Sequence, residues 1–268
     1  MVCETRVMHV TKMHGARNDF LIVDRRKPLD SATNHDVREF AIFACDRRTG
    51  IGADGCIVLE PSRVADVRMR TINPDGSEAE MCGNGIRCAA RWLDEAGEGD
   101  AVVFETAAGI IVTQVEQRQP EYVVRVAMGH PRVSPIALAG VADASFVDVG
   151  NPHVVIFCND LEGADLESIA RALQKQPAFA NGTNVHVAVA RDASLRVRHW
   201  ERGVGLTQAC GTGAVACAAA AIERGIADSP VEVLVPGGRL VVELNADGDA
   251  VLVGPAVRVF DLELNGWR

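Results

Sequence analysis

The sequence predicts an α+β fold of two pseudo-symmetric domains, each a curved mixed β-sheet or barrel wrapped around a central helix. Three observations carry this. First, the run Glu80-Met81-Cys82-Gly83-Asn84-Gly85-Ile86-Arg87-Cys88-Ala89-Ala90 returns as Gln208-Ala209-Cys210-Gly211-Thr212-Gly213-Ala214-Val215-Ala216. The two cysteines lie 128 residues apart (210 − 82), and the same offset lays Val67-Arg68-Met69-Arg70 over Leu195-Arg196-Val197-Arg198 without a gap. Second, short strand-like segments bounded by turn residues dominate both halves. Third, Ala214 to Ile222 has almost no polar face, as expected of a helix buried on all sides.

The elements follow in order. Val7 to Lys12 is a short strand, His14 to Asp19 a polar turn, and Phe20 to Asp24 a buried strand. Pro28 to Asn34 is loop. Asp36 to Cys45 has helical spacing, with Val37, Phe40, Ala41 and Ala44 on one face. A glycine-rich turn, Thr49 to Gly55, leads into the strand Cys56 to Glu60. Val64 to Ile72 alternates like a half-buried strand, and Asn73 to Ser77 has the residues of a tight turn. The helix Gly85 to Glu95 is closed by Gly97 and Gly99. Ala101 to Thr106, Gly109 to Glu116 and Tyr122 to Met128 read as a three-strand meander. Gly129 to Gly140, with Pro131 and Pro135, reads as the crossing between units. Beyond it lie the strand Val154 to Phe157, the helix Leu166 to Gln174, and the strands Val185 to Ala190 and Leu195 to Trp200. The second Ala-rich helix ends near Gly225. Strands over 231–236, 239–244, 250–253 and 257–264 complete the chain. The duplication shows again where Asn18 and Asn151 each precede a strand, 133 residues apart (151 − 18).

Bulk properties exclude several classes of function. A chain of 268 residues with 48% hydrophobic content can bury a large core, and 24% charged residues rule out a disordered chain. A net charge of −9, 4% aromatics and no basic run argue against nucleic acid or an anionic membrane as partner. The N-terminus has no signal-peptide core and no 18-residue apolar run occurs, so a cytoplasmic location is expected. In that compartment the eight cysteines read as free thiols rather than disulfides. No Cys-x-x-Cys is present and the cysteine spacings do not suit structural zinc, so no metal site is expected.

A cysteine just before Gly-x-Gly at a helix start meets unpaired backbone N–H groups and the positive end of the helix dipole. That setting makes a thiolate available near neutrality, and glycines let the backbone close around a small anion. Packing thiols or a phosphate cradle are the plainer readings of one such run. Against the cradle, no P-loop lysine follows and no dinucleotide fingerprint is complete. Two runs in register favour paired chemistry: one thiolate takes a proton from a carbon, and the other thiol returns one to the opposite face. The helix N–H donors would stabilise the adjacent carboxylate as charge develops. This logic calls for no cofactor.

The runs His14-Gly15-Ala16-Arg17-Asn18-Asp19-Phe20, Gly50-Ile51-Gly52-Ala53-Asp54-Gly55, Asn73 to Gly85, Gly150-Asn151-Pro152-His153 and Glu201 to Gly213 closely resemble the diaminopimelate epimerase family. The resemblance spans most of the chain, in order. It implies interconversion of LL- and meso-diaminopimelate without pyridoxal phosphate, for lysine and peptidoglycan precursors. It implies two units, 1–128 with 257–268 and 129–256, and a homodimer. Carried over, Cys82 and Cys210 are the acid/base pair. Gly83, Asn84, Gly211 and Thr212 give N–H donors to the reacting carboxylate. Asn18, Asn73, Asn151, Asn184, Glu201 and Arg202 hold the distal amino-acid group. Arg202 suits a carboxylate, and Glu201 an ammonium. Asn18, Asn73 and Asn151 could equally be turn residues. His153 either orients a substrate-holding side chain from behind or is a satisfied core histidine, and the other six histidines read as ordinary. Cys3, Cys45, Cys56, Cys88, Cys158 and Cys217 read as structural small hydrophobes.

One position departs from the pattern. Arg17 stands where the family has a second glycine, and a positive φ there would strain it. This leaves open a racemase of the same chemistry on another amino acid, such as histidine. A non-catalytic binder of small anions is a third reading, of a different class.

Overall fold

Strand pairing repeats along the chain. The computed structural model describes residues 7–26, 36–138 and 143–265, so Cys3 and the Pro28–Asn34 loop lie outside the described residues. The chain divides into two compact units, Met1–Val124 with Ala256–Arg268, and Arg125–Pro255.

In the first unit β1 (Val7–Gly15) and β2 (Asn18–Asp24) form an antiparallel hairpin. Helix α1 (Val37–Cys45) carries the chain to β3 (Gly55–Glu60), parallel to β2. β4 (Val67–Ile72) runs antiparallel to β3, and the short β5 (Glu78–Ala79) folds back on β4. Helix α2 (Gly83–Glu95) leads to β6 (Ala101–Thr106), parallel to β4, and β7 (Gly109–Gln117) pairs antiparallel with β6. β8 (Val123–Gly129) follows, its residues from Arg125 on belonging to the second unit.

The second unit repeats this order. β9 (Arg132–Pro135) is antiparallel to β10 (Ala144–Asp148), which is antiparallel to β11 (Pro152–Phe157). Helix α3 (Leu166–Leu173) and a short 3₁₀ turn (Pro177–Phe179) lead to β12 (Asn184–Arg191), parallel to β11. β13 (Ser194–Glu201) is antiparallel to β12 and carries β14 (Gly205–Thr207) as β4 carries β5. Helix α4 (Gly211–Glu223) leads to β15 (Val231–Val235), parallel to β13, then come the antiparallel β16 (Gly238–Leu244) and β17 (Ala250–Pro255). The final strand β18 (Val257–Asn265) runs antiparallel to β1 in the first unit. It occupies the place beside β1 that β9 occupies beside β10.

Each long helix packs against strands of its own unit. α4 packs against β9 to β13 and β15 to β17, and its residues from Ala214 to Ala221 are all buried. Alanine, glycine and one cysteine keep that helix thin enough for strands on every side. α2 packs on β1, β2, β3 and β7 and stays half-open at Arg91 and Trp92. Polar contacts tie β18 down: Trp92 Nε1 donates to Thr11 Oγ1 (3.0 Å), which donates to Asp261 (2.8 Å), while Arg258 bridges Asp261 and Glu95.

Three stretches differ from sequence expectation. Gly129 to Gly140 holds β9; its Pro135 ends the strand, where a missing N–H is tolerated. The strand expected from Val64 begins at Val67, because Ser62 Oγ accepts from the Val64 and Ala65 N–H groups and holds a turn there. The β1–β2 connection is a two-residue loop with positive φ at both Ala16 (52°) and Arg17 (63°), a type I′ turn. The turn keeps the right-handed twist of its strands at the expense of left-handed backbone in two residues that disfavour it. Arg17→Gly is therefore expected to raise unfolding stability by about 1 kcal/mol in urea denaturation; a loss of stability would mean the Arg17 side chain outweighs the strain.

Candidate functional site

Cys82 and Cys210 are the N-cap residues of α2 and α4. Their backbones are nearly superposable, φ −131° and ψ 111° for Cys82 against −126° and 115° for Cys210. Each Sγ accepts from the N–H three residues on, Gly85 or Gly213, at 3.4 Å. Each carbonyl accepts from the next residue, Ile86 or Ala214, at 2.9 Å. The first-turn positions Gly83 and Asn84, and Gly211 and Thr212, lack an intrahelical acceptor by helix geometry. Each helix start thus offers a sulfur, two outward N–H groups and a positive dipole end.

In the first unit a polar network surrounds Cys82. Asn18 donates through Nδ2 to Asp54 (2.8 Å), which turns its Oδ1 toward Cys82 Sγ (3.7 Å) and Asn84 Nδ2 (3.1 Å). Asp54 is held by Arg47, which also binds Asp19. Burial would raise the Asp19 carboxyl, but hydrogen bonds from Arg47 and Lys12 prevail and hold it at about 2. Arg87 is fully buried within α2. Its guanidinium donates to Gly83 O (3.0 Å) and Asn84 Oδ1 (2.8 Å), fixing the Asn84 amide. Burial lowers it to about 10, so it remains a cation at neutral pH, with Cys88 and Cys82 close enough to act on it electrostatically. Asn73 is a turn residue here: its Nδ2 donates to Ser77 Oγ (2.9 Å) and its carbonyl accepts from Gly76.

The second unit surrounds its cysteine differently. Burial, then the Glu201 carboxylate, push the Cys210 thiol well above its usual value, and Thr212 Oγ1 lies 3.5 Å from the sulfur. Cys210 is therefore a protonated thiol at neutral pH. Asn184 spends its amide locally, donating to Pro152 O (3.0 Å) and accepting from Arg202 N (2.9 Å). It thereby fixes the Glu201–Arg202 backbone. Arg202 is exposed, with one Nη on Asn181 O (3.2 Å). Asn151 Oδ1 lies 2.7 Å from His153 Nε2, so His153 orients Asn151. Burial pushes His153 and His199 down to about 3, and His186 moves the same way.

Sequence reasoning did not single out Arg87, Asp54, His186 or His199 for the site. Arg87 left one signal, a cation inside a helix face otherwise made of small and apolar residues. The histidines left none, because only the strand register makes His186 and His199 direct cross-strand partners. The other described cysteines fit a packing role, since burial raises Cys45 and Cys88 to about 12 and moves Cys56, Cys158 and Cys217 the same way. Among the described residues no group of His, Cys, Asp or Glu is arranged to hold a metal ion.

Two outcomes follow from this geometry. A Cβ on Gly213 would lie 2.6 Å from His186 Cε1 and 3.0 Å from His199 Nδ1, both in packed rings. On Gly85 it would meet the flexible Ile57 Cδ1 at 2.8 Å. Gly213→Ala should cost about 3 kcal/mol and Gly85→Ala about 1, measured by denaturant unfolding; equal costs would contradict the ring packing. The depressed histidines also fix a pH dependence. Below their ordinary value of 6.5 the unfolded chain binds protons that the folded chain refuses. Stability should be full above pH 6.5 and fall toward pH 3, by about 1.4 kcal/mol per pH unit for each histidine. Denaturation curves at stepped pH measure this, and a flat profile from pH 7 to 5 would contradict it.

Comparison with known proteins places this architecture. A sequence profile of diaminopimelate epimerase matches residues 10–134 and 145–259. A diaminopimelate epimerase from Rhizorhabdus wittichii is 40% identical, covering 94% of this chain and 93% of its own. One from Desulforudis audaxviator is 42% identical, over 95% and 98%. Among solved structures, a PhzF-family phenazine biosynthesis protein from Bacillus anthracis aligns with a TM-score of 0.74 at 18% identity, over 97% of this chain and 99% of its own. A hydroxyproline epimerase from Agrobacterium vitis aligns with 0.73 at 17%, over 99% and 94%. These two share the fold. With the sequence matches running through both repeated units, the chain belongs to the diaminopimelate epimerase family.

Proposed function

We propose that this chain is a diaminopimelate epimerase that interconverts the LL and meso isomers by moving one α-proton between Cys82 and Cys210. The observation that carries the mechanism is the repeated thiol N-cap, the same backbone and the same 3.4 Å N–H···S contact at both helix starts. A two-base exchange needs one thiolate and one thiol. Burial and Glu201 push the Cys210 thiol up, which suits Cys210 to the acid role and Cys82 to the base role in the forward direction. In the forward direction the Cys82 thiolate takes the α-proton and its electron pair moves into the substrate carboxylate. The Cys210 thiol then gives its proton to the opposite face of the carbon. The two sulfurs end with exchanged protonation, so the reverse reaction uses them in exchanged roles.

The first-turn N–H groups of Gly83, Asn84, Gly211 and Thr212 stabilise the carboxylate as it gains charge. Asn18, Asn151, Asn184, Glu201 and Arg202 hold the distal amino-acid group, while Asn73 spends its amide on Ser77 and is left out of the set. Within that set Asn184 acts by fixing the Arg202 backbone, and the exposed guanidinium of Arg202 is the group suited to a carboxylate. The chemistry asks for no pyridoxal phosphate. The reading includes a cytoplasmic homodimer; among the described residues no helix is long and apolar enough to cross a membrane.

Purified protein offered a panel of amino acids should epimerise LL-diaminopimelate and leave L-histidine unchanged by chiral chromatography. Cys82→Ala and Cys210→Ala should each lower turnover about a thousandfold with the circular dichroism spectrum unchanged. Preferred turnover of another amino acid would overturn the substrate assignment, and full activity in either variant would overturn the mechanism.

A further inference from the structure

His153, His186 and His199 stand on the adjacent strands β11, β12 and β13, and all three are fully buried. They form one continuous chain. Asn151 Oδ1 meets His153 Nε2 at 2.7 Å, His153 Nδ1 meets His186 Nε2 at 2.8 Å, and His186 Nδ1 meets His199 Nδ1 at 2.8 Å. The remaining nitrogen, His199 Nε2, is buried with no partner among the described residues. The rings of His186 and His199 also lie against Gly213, whose N–H donates to Cys210 Sγ.

A neutral imidazole has one donor and one acceptor, so such a chain must point one way throughout. With the Asn151 oxygen accepting, His153 and His186 carry the proton on Nε2 and His199 on Nδ1, and the chain ends in a bare lone pair. The opposite direction would end in a buried N–H with no acceptor. Orphaned N–H groups cost more than under-used acceptors and are rarer. The first direction therefore prevails, and it turns the Asn151 oxygen toward His153 and leaves its NH2 group to the site.

We propose that His186 and His199 are positioning residues that, through His153, lock the Asn151 amide as a hydrogen-bond donor for a substrate carboxylate. An ammonium would need the opposite face of the amide. Burial of the three rings keeps the chain neutral, so the lock holds across the neutral pH range. The identity of the carboxylate's owner rests on the function proposed above; the direction of the chain does not.

Two measurements test this. In the full-length wild type without substrate, nitrogen NMR of the imidazoles should show His153 and His186 as Nε2–H tautomers and His199 as the Nδ1–H tautomer, none titrating between pH 6 and 9. His153 in the Nδ1–H form, or any of the three titrating in that range, would overturn the proposal. Steady-state kinetics on diaminopimelate then compare His199→Leu with His199→Asn. Leucine fills the space and removes the donor, whereas asparagine leaves a void and returns an N–H where Nδ1 stood. His199→Leu should raise KM about tenfold with kcat within threefold, and His199→Asn should restore KM to within threefold. The reverse order would mean that these rings serve packing alone and would overturn the proposal. Should His199→Leu fail to fold, the tautomers and the His199→Asn KM decide. Wild-type protein inactive on diaminopimelate would strike the proposed function only, because the tautomers are read without substrate.

Discussion

A thiol capping the first turn of a helix is the interaction on which both units depend. A sulfur at the N-cap must accept from the N–H three residues on, and that residue must leave room for it. Glycine satisfies this twice. At Gly213 the constraint is sharp, because the space a Cβ would need is filled by His186 and His199. The strands hold two helices by their sides, with the first turns buried except at the half-buried Thr212. α4 achieves it by being thin and apolar all round, α2 by burying one face and a guanidinium.

Around this repeated cap the two units have diverged in charge. Cys82 has a buried cation, Arg87, and the amide oxygen of Asn18 for neighbours. Cys210 has the Glu201 carboxylate and neutral imidazoles beyond Gly213. A carboxylate beside a buried thiol opposes its ionisation, and a buried cation favours a nearby anion. The repeated backbone supplies symmetric geometry, and the unlike surroundings supply the asymmetry that a thiolate and a thiol require. In the proposed reaction that division of labour sits in the residues behind the cysteines.

Much of this was legible in the residues. The repeated Cys-Gly-polar-Gly run, the apolar helix after Cys210 and most strands follow from local pattern, because each is a short-range consequence of burial or of a turn. What escaped is what depends on neighbours far along the chain. The pairing of β5 and β14 involves two or three residues each, too few for any period to show. Asn18 could be read equally as a turn residue or a substrate-holding one, and its amide is turned by Asp54, 36 residues on. The histidines looked ordinary singly; only the register of β12 and β13 shows that His186 and His199 face each other. Arg17 worked the other way. Its sequence position suggested strain, and the backbone confirms a positive φ there.

The central claim is that two different sulfurs serve the two faces of one carbon. It is tested most directly by starting from LL-diaminopimelate in deuterated water and following the α-carbon of both isomers before equilibrium. Two thiols predict that the meso product carries deuterium from the first turnovers while the recovered LL substrate stays protiated. Deuterium appearing at equal rates in substrate and product would mean that one base serves both faces, and would contradict the account.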